Sequence, residues 1–381
     1  MITEIRHGRY FESGRKFYCG PIPAVELRGS WFQMGRQYGA LLRGELEKVF
    51  DFARRNPDGF GRVGMLGKEN GISGRKRYDE LYRGMAETSG LSLEQLRLVC
   101  SAELVYLDRM AGDLRQTFNG GRCSSLAVWG KNTPGGDVLF ARNYDWLPDF
   151  EEILDTLVLA VFHPADGANA VAMFNWAGCL YLTTGMNENG LFLELNSGAF
   201  ADAGMEPDRI HTAWLLWEFL LDSSDFFALK NSFASCWTAA AYLIGAADAR
   251  QAEVYEWHPK KPAWLAPHED GLLTAANHFT APDWVNTPLA ESCGEASSVN
   301  RRCNLLRLAG GLLENGGKIG LPEMISIMSK TVAEGGAKVN GTLFQIIAAP
   351  AEQCWHIRLK NSADWTEIQL ANLLKGNGDL A

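Results

Sequence analysis

Several signatures that would narrow the function at once are missing from this sequence. The eight cysteines, at 19, 100, 123, 179, 236, 293, 303 and 354, include no Cys-x-x-Cys pair and form no close Cys/His cluster. A structural zinc site is therefore poorly supported, and neither a metal nor a cofactor is expected. No run of lysine and arginine offsets a net charge of −9, which argues against nucleic acid or an anionic membrane surface as the main partner. No apolar stretch approaches the length of a bilayer-spanning helix; 157–162 and 239–247 are core-sized. The first residues, Met1 to Gly14, are polar and charged, without the apolar centre or small-residue cleavage site of a signal peptide. Together these point to a cytoplasmic protein whose thiols are reduced and mostly buried as small hydrophobes. No internal repeat is present. What remains is ordinary globular composition, 46% hydrophobic and 21% charged over 381 residues, enough to bury a sizeable core.

One stretch stands out. Gly120-Gly121-Arg122-Cys123-Ser124-Ser125-Leu126-Ala127-Val128-Trp129 and Val138-Leu139-Phe140-Ala141-Arg142-Asn143-Tyr144-Asp145-Trp146 read as two apolar strands. They are joined by a Pro- and Gly-rich turn over 131–137. Antiparallel pairing brings the start of the first strand beside the end of the second, and so Cys123 near Arg142 and Asp145. A thiol, a cation and a carboxylate at one sheet edge form a candidate nucleophile site.

Upstream, residues 22–120 read as mainly helical. Leu41, Leu42, Leu46, Val49, Phe50 and Phe52 recur at helical spacing, a second helix is expected over 76–88, and Ser92-Leu93-Glu94-Gln95 has the form of a capping box. Gly35 and Gly39 weaken the helix that carries them, which suggests close packing of that turn. From Cys123 the pattern changes to strands, expected at 156–162, 170–174, 181–184 and 191–195. Helices follow over 208–221 and 224–233, strands over 242–247, 253–257 and 272–275, helices over 301–313 and 323–330, and strands over 342–348 and 354–359. Runs of strands and helices in blocks argue for α+β layers.

Cys-Ser-Ser-Leu-Ala-Val at 123–128 with Ala-Arg-Asn-Tyr-Asp-Trp at 141–146 resembles the start of the mature chain in the N-terminal-nucleophile linear amide hydrolases, a group that includes choloylglycine hydrolases and penicillin V acylases. The acyl-coenzyme A:6-aminopenicillanate acyltransferase branch is the most similar. Gly35-Arg36-Gln37-Tyr38-Gly39 resembles its early signature, and Gly185-Met186-Asn187-Glu188-Asn189-Gly190-Leu191, Ala276-Asn277-His278-Phe279 and Ser297-Ser298-Val299-Asn300-Arg301 follow in the family's order. The resemblance implies an αββα sandwich of two antiparallel sheets between helical layers. It also implies autoproteolysis at Arg122–Cys123, which divides a helical pro-segment, 1–122, from a catalytic segment, 123–381. The implied substrate is a small N-acyl amide, with an acyl-coenzyme A or an amine as a further partner in a transfer reaction. Two departures are visible: Arg122 stands where the family commonly has a small residue, and the interval from Asn277 to Arg301 is short.

By that resemblance Cys123 is the nucleophile, Arg142 favours its thiolate, and Asp145 orients the freed α-amine. Asn277 supplies an oxyanion-hole amide, Arg301 supports the nucleophile and the aspartate, with Arg302 as the alternative, and Asn196 is a second positioning group. The amine released at Cys123 has a reference pKa of about 7.7–8.0 and can act as general base near neutral pH. Trp146 and Trp176 are candidate pocket walls. Two further readings stand beside this one: an uncleaved binding relative, suggested by Arg122, and a Cys123–His278 thiol hydrolase needing no processing.

Overall fold

A computed structural model describes residues 3–5, 8–55, 75–101, 103, 123–198, 206, 209–260, 262–265, 271–282, 294 and 296–376. The expected cleavage residue Arg122 lies outside these. Two sheets form the centre. The first has eleven strands in the order β1 (Thr3–Ile5), β2 (Gly8–Phe11), β3 (Gly14–Cys19), β4 (Ile22–Gly29), β7 (Leu157–Pro164), β8 (Val171–Trp176), β9 (Thr184–Asn187), β10 (Phe192–Ser197), β11 (Tyr242–Ala247), β12 (Ala252–Trp257) and β13 (Ala263–Leu265). Neighbours are antiparallel except β4 and β7, which run parallel from Ala24 opposite Leu159 to Gly29 opposite Pro164. The second sheet has six antiparallel strands in the order β14 (Leu272–Ala275), β5 (Ser124–Val128), β6 (Leu139–Asp145), β15 (Thr342–Ala349), β16 (Cys354–Leu359) and β17 (Thr366–Gln369).

The sheets meet face to face through large rings. Phe140 of β6 lies 5.2 Å from Phe192 of β10, and Phe344 of β15 lies 5.0 Å from Phe174 of β8. The outer face of the six-stranded sheet, with Leu126, Val128, Ala141 and Ile347, is covered by Leu305 of α7 (Ser298–Glu314) and by Met324 and Ile327 of α8 (Leu321–Ser329). On the other side α1 (Trp31–Leu41) and α5 (Thr212–Asp222) cover the eleven-stranded sheet, with Tyr38 6.4 Å and Trp217 5.1 Å from Phe162 of β7. The fold is thus α+β, in helix–sheet–sheet–helix layers.

The segment before Cys123 is not wholly helical. Four strands precede α1, and β4 joins them to the rest of the first sheet through its parallel pairing with β7. β1 to β3 are only three, four and six residues long and β4 is buried along most of its length, so the sequence shows little polar–apolar alternation there; the β2–β3 turn places Glu12 at φ 53°. The helices α2 (Arg43–Arg55), α3 (Lys76–Ser89) and α4 (Leu93–Ser101) follow. The Ser92 box is present: the Gln95 backbone N–H donates to Ser92 Oγ at 3.2 Å, and the Ser92 N–H donates to Gln95 Oε1 at 2.8 Å. The strand expected at 181–184 begins later, at Thr184.

The glycines of α1 permit a close helix crossing. A Cβ on Gly35 would lie 2.0 Å from the Leu81 carbonyl oxygen of α3, and one on Gly84 of α3 would lie 2.1 Å from the Phe32 carbonyl oxygen. Backbone cannot give way as a flexible side chain does. We therefore expect Gly35→Ala to lower stability by about 1–3 kcal/mol despite alanine's better helix propensity. Gly311→Ala, in α7 with open space around it, should raise stability by up to about 1 kcal/mol. Denaturant midpoints test the contrast; equal effects would contradict the close crossing.

Candidate active site

Strand alternation determines what faces the space between the sheets. In β6, Phe140 points inward, and so do Arg142 and Tyr144. In β5, Leu126 and Val128 face the helices, so Ser125 and the preceding Cys123 face the other sheet. In β10, Phe192 meets Phe140, and Glu194 and Asn196 follow the same parity. Two apolar sheets therefore enclose an arginine, a glutamate, an asparagine, a serine and a cysteine.

Arg142 is fully buried, and both terminal nitrogens of its guanidinium are hydrogen-bonded. Nη1 donates to the Thr183 carbonyl and to Thr184 Oγ1, both at 2.6 Å. Nη2 donates to the Leu195 carbonyl at 3.0 Å and to Cys123 Sγ and Asn196 Oδ1 at 3.5 Å. Nε forms an ion pair with Glu194 Oε2 at 3.3 Å. The other Glu194 oxygen accepts from Ser125 Oγ at 2.7 Å and from Asn196 Nδ2 at 3.0 Å. Burial pushes the Glu194 carboxyl up, and Arg142, Ser125 and Asn196 oppose that shift. Asn196 thus belongs to the shell that holds Arg142, one step removed from the thiol.

Asp145, at the end of β6, lies where pairing with β15 shifts register between Thr342 and Phe344. Thr342 Oγ1 donates to its Oδ1 at 2.6 Å, and Arg301 Nη1 stands 3.7 Å from its Oδ2. Arg301, from the first turns of α7, also donates to the Cys123 carbonyl at 2.8 Å and to Asn277 Oδ1 at 2.9 Å. Asn277 is held in turn: its side chain donates to the Ser197 carbonyl at 2.9 Å and its backbone N–H to Ser298 Oγ at 2.8 Å. Arg302 points elsewhere and donates to the Thr274 carbonyl at 3.2 Å. Adjacent helical residues diverge around the axis, so one of the pair reaches the site.

The thiol itself is buried. Desolvation is the main cause of a Cys123 pKa raised to about 11; Arg142 opposes it, while Asp145 and Glu194 add to it. Its hydrogen-bond partners are Arg142 and the Asp145 carbonyl, the latter at 3.9 Å. His278 is not among them. Its Nδ1 meets Ser298 Oγ at 2.7 Å, and burial with the nearby Arg302 and Arg301 lowers its pKa to about 4. A small cavity adjoins Cys123, lined by Glu103, Tyr144, Trp146, Thr183, Leu195 and Ser197, and it leaves about 10 Å³ to the centres of water-sized groups. Trp146 therefore stands at the cavity. Trp176 does not: it packs on Phe150 at 5.4 Å within the core.

Sequence reasoning passed over Glu194, Thr342 and Glu103. A glutamate within the apolar run 191–195 was a usable signal, because a charge there requires a partner. Glu103 falls at helical spacing with Leu96, Cys100 and Leu107, a charge on an otherwise apolar stripe. Thr342 carried no signal. Among the described residues no cluster of His, Cys, Asp and Glu could hold a metal.

No family model and no curated protein matches the chain. Among solved structures it is similar to a mutant of the conjugated bile acid hydrolase from Clostridium perfringens, at 14% identity over 65% of this chain and 92% of that one, with a TM-score of 0.47. It is similar to a Caenorhabditis elegans ortholog of N-acylethanolamine-hydrolyzing acid amidase, at 14% identity over 64% and 97%, with a TM-score of 0.45. A third is the penicillin V acylase from Agrobacterium tumefaciens, at 12% identity over 65% and 86%, with a TM-score of 0.43. At that level the chemistry of this site has to rest on its own geometry.

Removing one partner of a buried pair strands the other's charge. Arg142→Gln is expected to cost about 3–5 kcal/mol in stability, and adding Glu194→Gln should recover part of that loss. Additive losses in the double-mutant cycle would show that the two residues do not act as a pair.

Proposed function

We propose that the protein is a cysteine amidohydrolase or acyltransferase of the N-terminal-nucleophile type. Scission of the Arg122–Cys123 bond activates it, and it cleaves or transfers the acyl group of a linear N-acyl amide through a thioester on Cys123. The observation that carries this reading is the convergence of Arg142, Asp145, Asn277 and Arg301 on one buried cysteine at the start of a strand. A structural cysteine needs none of these groups, and a buried arginine held by several carbonyl and hydroxyl acceptors that also donates to a sulfur is well suited to stabilise a thiolate.

The buried thiol explains why scission matters. In the uncut chain burial keeps Cys123 neutral, and its nitrogen is an amide without basicity. Attack of Sγ on the preceding carbonyl carbon forms a C–S bond and breaks the C–N bond; the thiol proton goes to the departing nitrogen, and water hydrolyses the thioester. The resulting α-amine can accept a proton near neutral pH. In turnover that amine takes the thiol proton and Sγ attacks the substrate acyl carbon. The amine then returns the proton to the leaving nitrogen, and water or an acceptor amine releases the acyl group. Asp145 holds the ammonium form of the amine, and Arg301 steadies Asp145 and the Cys123 carbonyl. The free N–H of the Asn277 amide donates to the oxyanion, a contribution typically worth about 100- to 1,000-fold in rate.

Glu194 and Asn196 act as positioning residues through Arg142. The cytoplasmic location and the acyl-coenzyme A or amine acceptor belong to the same proposal.

Intact mass under denaturing conditions tests the reading. Two fragments divided immediately before Cys123, replaced by a single chain in Cys123→Ala, are expected. A single chain that hydrolyses amides at full rate would overturn it.

A further inference from the structure

The cavity beside Cys123 carries more polar groups than acyl transfer to a thiol requires. The Tyr144 hydroxyl, the Trp146 indole N–H and the Thr183 hydroxyl are all buried without a hydrogen-bond partner among the described residues. In folded proteins buried polar groups of this kind are nearly always satisfied, and three unsatisfied ones lining one cavity point to polar groups of a ligand: a donor for the two hydroxyl oxygens and an acceptor, such as an acyl carbonyl, for the indole N–H. Glu103 lines the same cavity and is buried; Tyr181 donates its hydroxyl to one carboxyl oxygen at 2.5 Å. The other two carboxylates of the site face guanidinium groups, Glu194 at Arg142 and Asp145 at Arg301. No basic side chain among the described residues forms an ion pair with Glu103.

Size narrows the ligand further. Space for one water-sized centre limits the seated end of the ligand to a group no larger than an ammonium or hydroxyl, with its short linker leading back to Cys123. Charge chooses between those two groups: Arg142 acts on Glu103 only at a distance, and a buried carboxylate without a direct ion pair gains most from a cation in contact.

Resting on the reading of Cys123 as the acyl-accepting thiol, we propose that Glu103 is a specificity residue that binds the terminal ammonium of a short aminoacyl group. The substrate class is a linear amide of a small amino acid such as glycine or β-alanine. Oxygens of Glu103, Tyr144 and Thr183 match the three N–H donors of an ammonium in number, and the Trp146 ring supplies a cation–π wall. In the covalent step the bond from Cys123 Sγ to the acyl carbon forms and the amide C–N bond breaks. The leaving amine departs with the thiol proton, and the ammonium on the acyl group is unchanged throughout. Burial raises the Glu103 pKa to about 7, as expected of a carboxyl awaiting a counter-charge. The residue lies upstream of Cys123, so the upstream segment stays bound after scission and forms part of the acyl pocket.

Calorimetric titration of the full chain with β-alaninamide and with propionamide, its analogue lacking the amine, tests the assignment. β-Alaninamide should bind at least tenfold more tightly, Glu103→Gln should remove at least tenfold of that preference, and Glu103→Asp should retain part of it. Binding of β-alaninamide no tighter than propionamide by the wild-type protein, or no binding by either, overturns the assignment without recourse to a variant. The nucleophile reading is scored separately, by intact mass after acid quench of a reaction with β-alanyl p-nitroanilide. An adduct on Cys123 without the binding preference overturns the role of Glu103. The preference without an adduct overturns the nucleophile.

Discussion

Arg142 and Glu194 form an ion pair between two apolar sheets, and the arrangement around Cys123 depends on it. Each charge alone would be costly at that depth, and even the pair recovers its desolvation only if the remaining donors and acceptors are met. They are met by the carbonyls of Thr183 and Leu195, the hydroxyls of Thr184 and Ser125, and the Asn196 amide. These groups come from β5, β9, β10 and the residue before β9. The guanidinium therefore fixes the register of one sheet against the other at the end where Cys123 lies. Under the proposed function, its contact with Sγ is the one interaction in the set that serves chemistry more than packing.

A second anchor works from the helical side. Arg301 of α7 reaches over the strand ends to the Cys123 carbonyl, Asn277 and Asp145, so the backbone of Cys123 is held independently of its side chain. The thiol is gripped from between the sheets and its carbonyl from outside them. Such a residue can change its bonding on the amino side without being released, as the proposed scission before Cys123 requires. Burial suits the same proposal, in which a thiol held neutral until a base is created on its own residue stays inert in the uncut chain.

Much of this was legible in the sequence because it is local. The turn over 131–137 and the alternation on either side fix the β5–β6 hairpin, and that hairpin alone brings Cys123 to Arg142. The Ser92–Gln95 box and the tight glycines of α1 were equally readable, each being a short-range steric or hydrogen-bonding rule. What escaped depends on distant partners. The parallel pairing of β4 with β7 joins segments separated by the whole helical region, and the four leading strands show little alternation of their own. Glu194 is intelligible only once β10 is placed opposite β6, and Thr342 only at the register shift in β15. Trp146 and Trp176 look alike in sequence; strand direction puts one at the cavity and the other against Phe150.

The central claim is that Cys123 Sγ accepts the acyl group, and an acid-quenched reaction with p-nitrophenyl acetate followed by peptide mapping tests it most directly. The account predicts one acetyl group, on Cys123, at the amino terminus of its fragment. Continued release of p-nitrophenol with Cys123 unmodified, or with the acetyl group held stoichiometrically by another residue, would contradict it.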